Sequence, residues 1–218
     1  MYWRLNQDIT ACIASGRVLF LDVRRDRYFA LPPAANERFA AWLTRSGGGR
    51  LPEEHETLLA RLKIIEQDTG HTATPCTITR ARAVDAETLP PLRIGPGTAL
   101  RVGSAVVKAA REVRHRPLAM MLDHRRQKRA LRESSNSALT TRLAQFRAVR
   151  PLIPVPRTCL HDCLALLDWL GPSARDVQLV FGVSAFPFGA HCWLQAEGRV
   201  IDDHPESPSR YQPILHLP

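Results

Sequence analysis

The chain has few cysteines, no long apolar run, and no repeated or low-complexity tract. Its five cysteines among 218 residues are an odd number, and only Cys159 and Cys163 lie close together; this excludes a disulfide framework. No segment approaches the roughly 18 apolar residues that a membrane span requires. The opening stretch MYWRLNQDITACIASG has no basic run leading into an apolar one, as a secretory signal has. A cytoplasmic protein without a membrane span is therefore expected. Excess positive charge is missing from the first third: residues 1–70 hold ten Lys/Arg against nine Asp/Glu, a balance of +1. Residues 101–150 hold thirteen against three, a balance of +10, which exceeds the +9 of the whole chain. The basicity belongs to the middle of the sequence, so the overall charge is no argument for nucleic-acid binding by the N-terminal part.

What is present is an ordinary globular composition, 44% hydrophobic and 23% charged, in a length that accommodates two cores. From Ile9 to Leu31, ITACIASGRVLFLDVRRDRYFAL alternates apolar segments with turn signals at Ser15-Gly16 and Arg24-Arg25-Asp26, which predicts a three-stranded meander. Pro32-Pro33 ends the sheet. Phe39, Ala40, Trp42 and Leu43 then predict a helix over 34–43. A second helix is predicted from Pro52, with Glu53, Glu54 and Glu56 at its positive end and Leu58, Leu59, Leu62 and Ile65 along it. Residues 1–70 are thus expected to form one small domain and residues 71–100, rich in Pro and Gly, a linker. Residues 101–218 are expected to form a second domain of α+β class. Within it Val102, Ala105, Val106 and Ala109 share a helix face, Pro117 breaks the helix, and HRRQKRALR at 124–132 is expected to coat a solvated face or loop, the alternative being a patch that faces an anion or a membrane.

The chemistry concentrates in RTCLHDCLALLDWL, residues 157–170. Pro154 and Pro156 keep the approach extended, Thr158 is a candidate N-cap, and Gly171-Pro172 supplies the stop, which predicts a helix from about Cys159 to Leu170. Cys159 then sits where unpaired backbone N–H groups and the helix dipole favour a thiolate. Cys163 lies one turn deeper on the face of Leu160, Leu164, Leu167 and Leu170 and is expected in the core. Strands are predicted over Val177–Val183, Ala190–Ala196 and Arg199–Asp202. Alternation along AHCWLQA puts His191, Trp193 and Gln195 on one face, so His191 can meet Cys159 while Cys192 packs on the other. Asp202-Asp203 supplies a carboxylate to orient the imidazole. Cys159, His161, Cys163, His191 and Cys192 are all possible metal ligands, but a strand that aims His191 and Cys192 apart does not close a tetrahedron; no metal and no cofactor is expected. Phe186-Pro187-Phe188-Gly189 is read either as a wall of the substrate cleft or as a buried loop anchor.

CLHDCLAL, VFGVSAFPFGAHCWLQ and GRVIDDHPESPSRYQPILHL together resemble the B protein of lasso peptide biosynthesis, a leader peptidase of the transglutaminase-like branch of papain-like cysteine proteases. The resemblance implies a nucleophile at Cys159, a base at His191 and an acid at Asp203. Two positions depart from the family pattern: Cys163 stands where Ser is common, and Cys192 replaces a small residue. GRVLFLDVRRDRYFALPPAANERFAAWL is similar to the PqqD-like, winged-helix-like peptide-recognition domain of such proteins. There a leader peptide adds as a strand to the sheet edge; strand order points to Arg27, Tyr28, Phe29, Ala30 and Leu31 as the pairing segment. The implied partners are the precursor peptide and an ATP-dependent lasso cyclase of asparagine-synthetase type. Two other classes stay open: an acyl transferase of transglutaminase type, and a non-catalytic module that binds peptide or nucleic acid.

Overall fold

A computed structural model describes residues 3–44, 48–49, 59–67, 94–130, 139–201 and 208–217. The chain is of mixed helix and sheet and divides into two compact units. The first takes in Met1–Thr79, Gly182–Ala190 and Tyr211–Leu215; the second takes in Arg80–Phe181, His191–Arg210 and His216–Pro218.

In the first unit the predicted meander forms as strands β2 (Ile9–Ala14), β3 (Arg17–Asp22) and β4 (Arg27–Ala30), in the order β2-β3-β4 and antiparallel throughout. Ser15 and Gly16 both have positive φ, 48° and 78°, the backbone that a two-residue hairpin needs to follow the strand twist. Helix α1 (Pro33–Thr44) begins right after the sheet, its Pro33 placed where a helix has no intrahelical use for an N–H. It closes the core with Phe39, Trp42 and Leu43 against Val18, Phe20, Leu59 and Ile64. Phe20 stacks on Phe29 at 4.9 Å and meets Phe39 at 5.3 Å. Asn36 is buried in this seam, where its Oδ1 accepts from the Val18 N–H at 2.8 Å and its Nδ2 donates to the Gly16 carbonyl at 2.9 Å.

A second small sheet, β5 (Gly48–Gly49), β1 (Trp3–Leu5) and β6 (Ile65–Gln67), was not foreseen. Its strands of two or three residues are too short to carry a period. The second helix is thereby corrected at its end: residues 59–61 are helical, but Ile65 lies on β6 and pairs with Leu5. The start of that helix, at Pro52, lies outside the described residues.

The second unit is built on helices α2 (Pro96–His115), α3 (Leu118–Ala130), α4 (Leu139–Val149) and α5 (Cys159–Leu170). Most of the expected linker lies outside the described residues, and its last part is corrected: Pro96 already opens α2, because Pro fits a first helical turn as well as it fits a loop. Val102, Val106 and Ala109 are buried on α2 as its pattern predicts. The basic segment is also corrected in part. Arg125 is buried, bonded to Glu112 at 2.9 Å and 3.6 Å from Asp168, while Arg126 is exposed. Residues 131 and 132 lie outside the described set. The strands β7 (Val177–Ala185), β8 (Phe188–Ala196), β9 (Arg199–Val200) and β10 (Gln212–Leu217) form one sheet in the order β10-β7-β8-β9. The strand β10 was missed by the sequence reading. Among the described residues no helix is long and apolar enough to cross a membrane.

Candidate active site

Helix α5 begins and ends where its sequence predicts. Thr158 is in extended conformation and its Oγ1 accepts from the His161 N–H at 3.3 Å, while Gly171 ends the helix with φ of 54°. Both ends follow from side-chain chemistry: a hydroxyl satisfies an orphan N–H of the first turn, and glycine tolerates the left-handed backbone past the last turn. Cys159 is thus the first helical residue and is half-buried, whereas Cys163 is 1% exposed and its Sγ lies 3.6 Å from the Cys192 carbonyl oxygen. The expectation of a buried Cys163 holds.

The approach to Cys159 is clamped by a feature the sequence reading did not single out. Arg150, 2% exposed, donates from Nε to Asp162 Oδ1 at 2.8 Å and from its terminal nitrogens to the carbonyls of Ile153, Val155 and Pro156 at 3.4, 3.1 and 3.3 Å. Arg157 Nε donates to the other Asp162 oxygen at 3.1 Å. One guanidinium therefore gathers the extended segment and the first turn of α5 around a single buried carboxylate, so the backbone on both sides of Cys159 is held by charge-assisted bonds.

Strand β8 brings His191 to this thiol. The side chains of His191 and Cys192 and the Cys192 backbone are the groups that act on the Cys159 thiol. His191 is buried, and its ring lies 6.0 Å from that of Trp193 at an interplanar angle of 24°. Trp193 Nε1 donates to Gln195 Oε1 at 3.1 Å, and Gln195 Nε2 donates to Gln178 Oε1 at 2.9 Å. The predicted face of His191, Trp193 and Gln195 is therefore observed, and it is fixed by its own polar chain.

Cys192 does not behave as alternation suggests. Although it is 2% exposed, its side chain acts on the Cys159 thiol. This reverses the expected acid–base balance. The Cys192 side chain, together with burial, pushes the Cys159 thiol well above the ordinary thiol range, and the His191 imidazole works in the other direction. Burial disfavours the charged thiolate for the same reason that it disfavours any ion in a medium of low polarisability. The helix dipole that argued for a lowered value remains, but two nearer causes oppose it. Asp203, the expected acid, and its neighbour Asp202 lie outside the described residues. Among the described residues none of the four cysteines is in a disulfide, and no group of His, Cys, Asp or Glu is arranged to hold a metal ion.

The residues singled out for peptide recognition gather in the first unit. Among the described residues strand β4 lies at the edge of its sheet, next to β3. Arg27 and Ala30 are exposed, Tyr28 and Phe29 half-buried, and Leu31, just past the strand, is 4% exposed. Arg27, Phe29, Ala30 and Leu31 line a groove of about 430 Å³, whose other wall is Arg61, Leu62, Lys63 and Ile64. That second wall was not foreseen. In the same unit Tyr28 meets Phe188 at 5.8 Å, and Arg17 lies over Phe186 at 5.7 Å. Phe186 and Phe188 are 66% and 56% exposed, which removes the reading of that loop as a buried anchor.

The sequence profile of the transglutaminase-like superfamily matches residues 99–216, more than half of the chain. No curated protein and no solved structure matches it.

Proposed function

The chain belongs to the transglutaminase-like superfamily, and from that premise we propose that it is a cysteine peptidase that removes the leader of a ribosomally made precursor, of the kind that matures lasso peptides. The superfamily includes both cysteine proteases and acyltransferases. The observation that carries the reading is the Cys159 thiol as the first residue of a capped helix, with the buried His191 imidazole acting to lower its pKa.

In this reaction Cys159 rests as a thiol, since its surroundings hold its pKa up. As the sulfur attacks the scissile carbonyl carbon, its proton passes to His191, which then gives it to the departing amine of the core peptide. The leader remains as a thioester on Cys159. Water attacks that carbonyl, His191 takes its proton, and the leader leaves as a carboxylic acid. Asp203 is assigned by resemblance to orient the imidazole. The leader pairs along Arg27–Ala30, with Phe29 and Leu31 offering the apolar part of the groove and Arg27 and Lys63 its cationic rim. Main-chain hydrogen bonds at a sheet edge hold any extended peptide, and the groove selects among them. Binding the leader raises the local concentration of the scissile bond, which lets a resting thiol be selective. The freed core amine then goes to an ATP-dependent cyclase of asparagine-synthetase type.

The test is Cys159→Ala. Cleavage of a leader–core peptide falls by at least ~10³-fold, followed by mass spectrometry, while leader binding measured by fluorescence anisotropy stays within about twofold. Retained cleavage removes the assignment. Incorporation of a labelled amine in place of water would turn the reading to acyl transfer, and steeply salt-dependent binding of nucleic acid without cleavage would turn it to a binding module.

A further inference from the structure

The groove beside β4 is more cationic than the part of the chain that forms it. Residues 1–70 carry a balance of only +1, yet among the described residues the charged side chains that line the groove are Arg25, Arg27, Arg61 and Lys63 against Asp22. Asp22 is already engaged: its Oδ1 accepts from the Arg25 backbone N–H and its Oδ2 from Arg25 Nη1, each at 2.9 Å. Among the described residues no carboxylate pairs with Arg27, Arg61 or Lys63. Lys63 stands at φ of 56° just past the helical residues 59–61, where its N–H donates to the Ala60 carbonyl and the Ile64 N–H to that of Leu59, each at 3.0 Å. Glycine is the usual residue at such a helix end, so the chain keeps a cation where its backbone favours another residue. We propose that the groove is a binding site for an acidic peptide segment, an extended strand that brings a carboxylate to Arg27, Arg61 and Lys63 and lays an apolar side chain, two positions away, on Phe29 and Ile64. The inference rests on the reading of β4 as a peptide-pairing edge, and not on cleavage by Cys159.

Alternation along β4 sets the spacing. Arg27 and Phe29 are two residues apart and line the same groove, so a strand that pairs with β4 turns the two residues opposite them to that side, whichever way it runs. One of these faces Arg27, whose partner within the sheet is Asp22. Opposite charges in facing positions favour pairing and like charges oppose it. Because Arg25 already holds the Asp22 carboxylate, Arg27 has its outer side to offer to another. The second residue faces Phe29, with Leu31 and Ile64 beside it. There a carboxylate loses water without gaining a partner, whereas an apolar side chain is favoured for the surface it removes from water. The recognised pattern is thus one acidic and one apolar residue with a single residue between them. A nucleic-acid strand meets the cations but has no use for the N–H and C=O groups of the sheet edge or for the apolar floor, so a peptide is the occupant that the groove favours.

The experiment is a display selection of random peptides of about twelve residues on the whole protein, followed by fluorescence anisotropy of one selected peptide and of counterparts with Gln or Lys in place of its acidic residue. The expected result is enrichment of Asp or Glu two positions from Leu, Ile, Val or Phe. The Gln counterpart binds about fivefold more weakly at low salt, and the difference falls below about twofold near 0.5 M salt, as it does for a solvent-accessible ion pair. In the double variant Arg61→Glu/Lys63→Glu the order reverses and the Lys counterpart binds best, which also shows that the variant is folded. Enrichment of apolar peptides without an acidic preference, equal affinity for the acidic peptide and its Gln counterpart, or retention of single-stranded DNA with no peptide enriched overturns the proposal. The wild-type selection and the Gln counterpart decide the matter even if the variant folds poorly. The outcome is separate from that of the cleavage test: apolar peptides held at β4 remove the acidic site and leave leader pairing standing, whereas acidic peptides held without any cleavage by Cys159 leave the site standing and remove the peptidase.

Discussion

Cys192 holds up the pKa of the Cys159 thiol. Its side chain is the largest cause of the raised thiol pKa, ahead of burial, and His191 opposes both. Replacing Cys192 by Ala removes that cause and leaves a small apolar neighbour, so the pKa of Cys159 falls. At pH 7 the rate of Cys159 alkylation then rises by about tenfold for each unit of the fall, because the rate follows the thiolate fraction. An unchanged pH profile of iodoacetamide labelling would assign the raised value to burial alone. The Arg150 clamp explains why this small group of atoms can be so specific. Its guanidinium and that of Arg157 share the Asp162 carboxylate one turn from the thiol, so the first turn of α5 has little freedom to carry the sulfur away from His191.

At the scale of elements, a single amide ties the helix of the first unit to its hairpin. Asn36 on α1 bonds the Val18 N–H and the Gly16 carbonyl, joining the helix to the β2–β3 hairpin at its turn. Asn36→Ala leaves a buried N–H without its acceptor, and the unit loses about 1–3 kcal/mol, read as a lower midpoint in a denaturant titration. A change below about 0.5 kcal/mol, the scatter of ordinary surface substitutions, would show that the hairpin is held by its aromatic stack instead. The meander, α1 and α5 were legible in the sequence because each announces itself locally: Ser15-Gly16 turns the chain, Pro33 starts one helix, and Thr158 and Gly171 bracket the other. The strands β1, β5 and β6 were not, since two or three residues give no period to read and their pairing partners are about 44 and 62 residues away. The helix expected to contain Ile65 failed for the same reason: its apolar residues fit a helix face, but pairing to Leu5 decided otherwise.

For the whole molecule, the charge tells the same story of local pattern against long-range partner. The excess of +10 in residues 101–150 looks like a surface for a polyanion, yet Arg125 is 8% exposed and engaged with Glu112 and Asp168. Arg125→Met leaves the buried Glu112 carboxylate only the longer pairing to Arg116 at 3.9 Å and costs about 3–5 kcal/mol, checked by thermal and denaturant unfolding; stability within about 1 kcal/mol of wild type would mean that Arg116 or water takes over. The sequence by itself determined that there is a sheet meander followed by a helix, that a capped helix starts at Cys159, and that His191, Trp193 and Gln195 share a face. These are nearest-neighbour and periodicity effects, written in residues within a few positions of each other. Only the tertiary structure decided that Cys192 acts on the Cys159 thiol, that Arg150 gathers Asp162 and three carbonyls, and that residues 61–64 wall the groove beside β4. Apart from the three carbonyls, which lie three to six residues beyond Arg150, those pairings join residues 12 to 37 positions apart, and no local preference of the chain specifies which distant side chain fills the space next to a thiol, a carboxylate or a sheet edge.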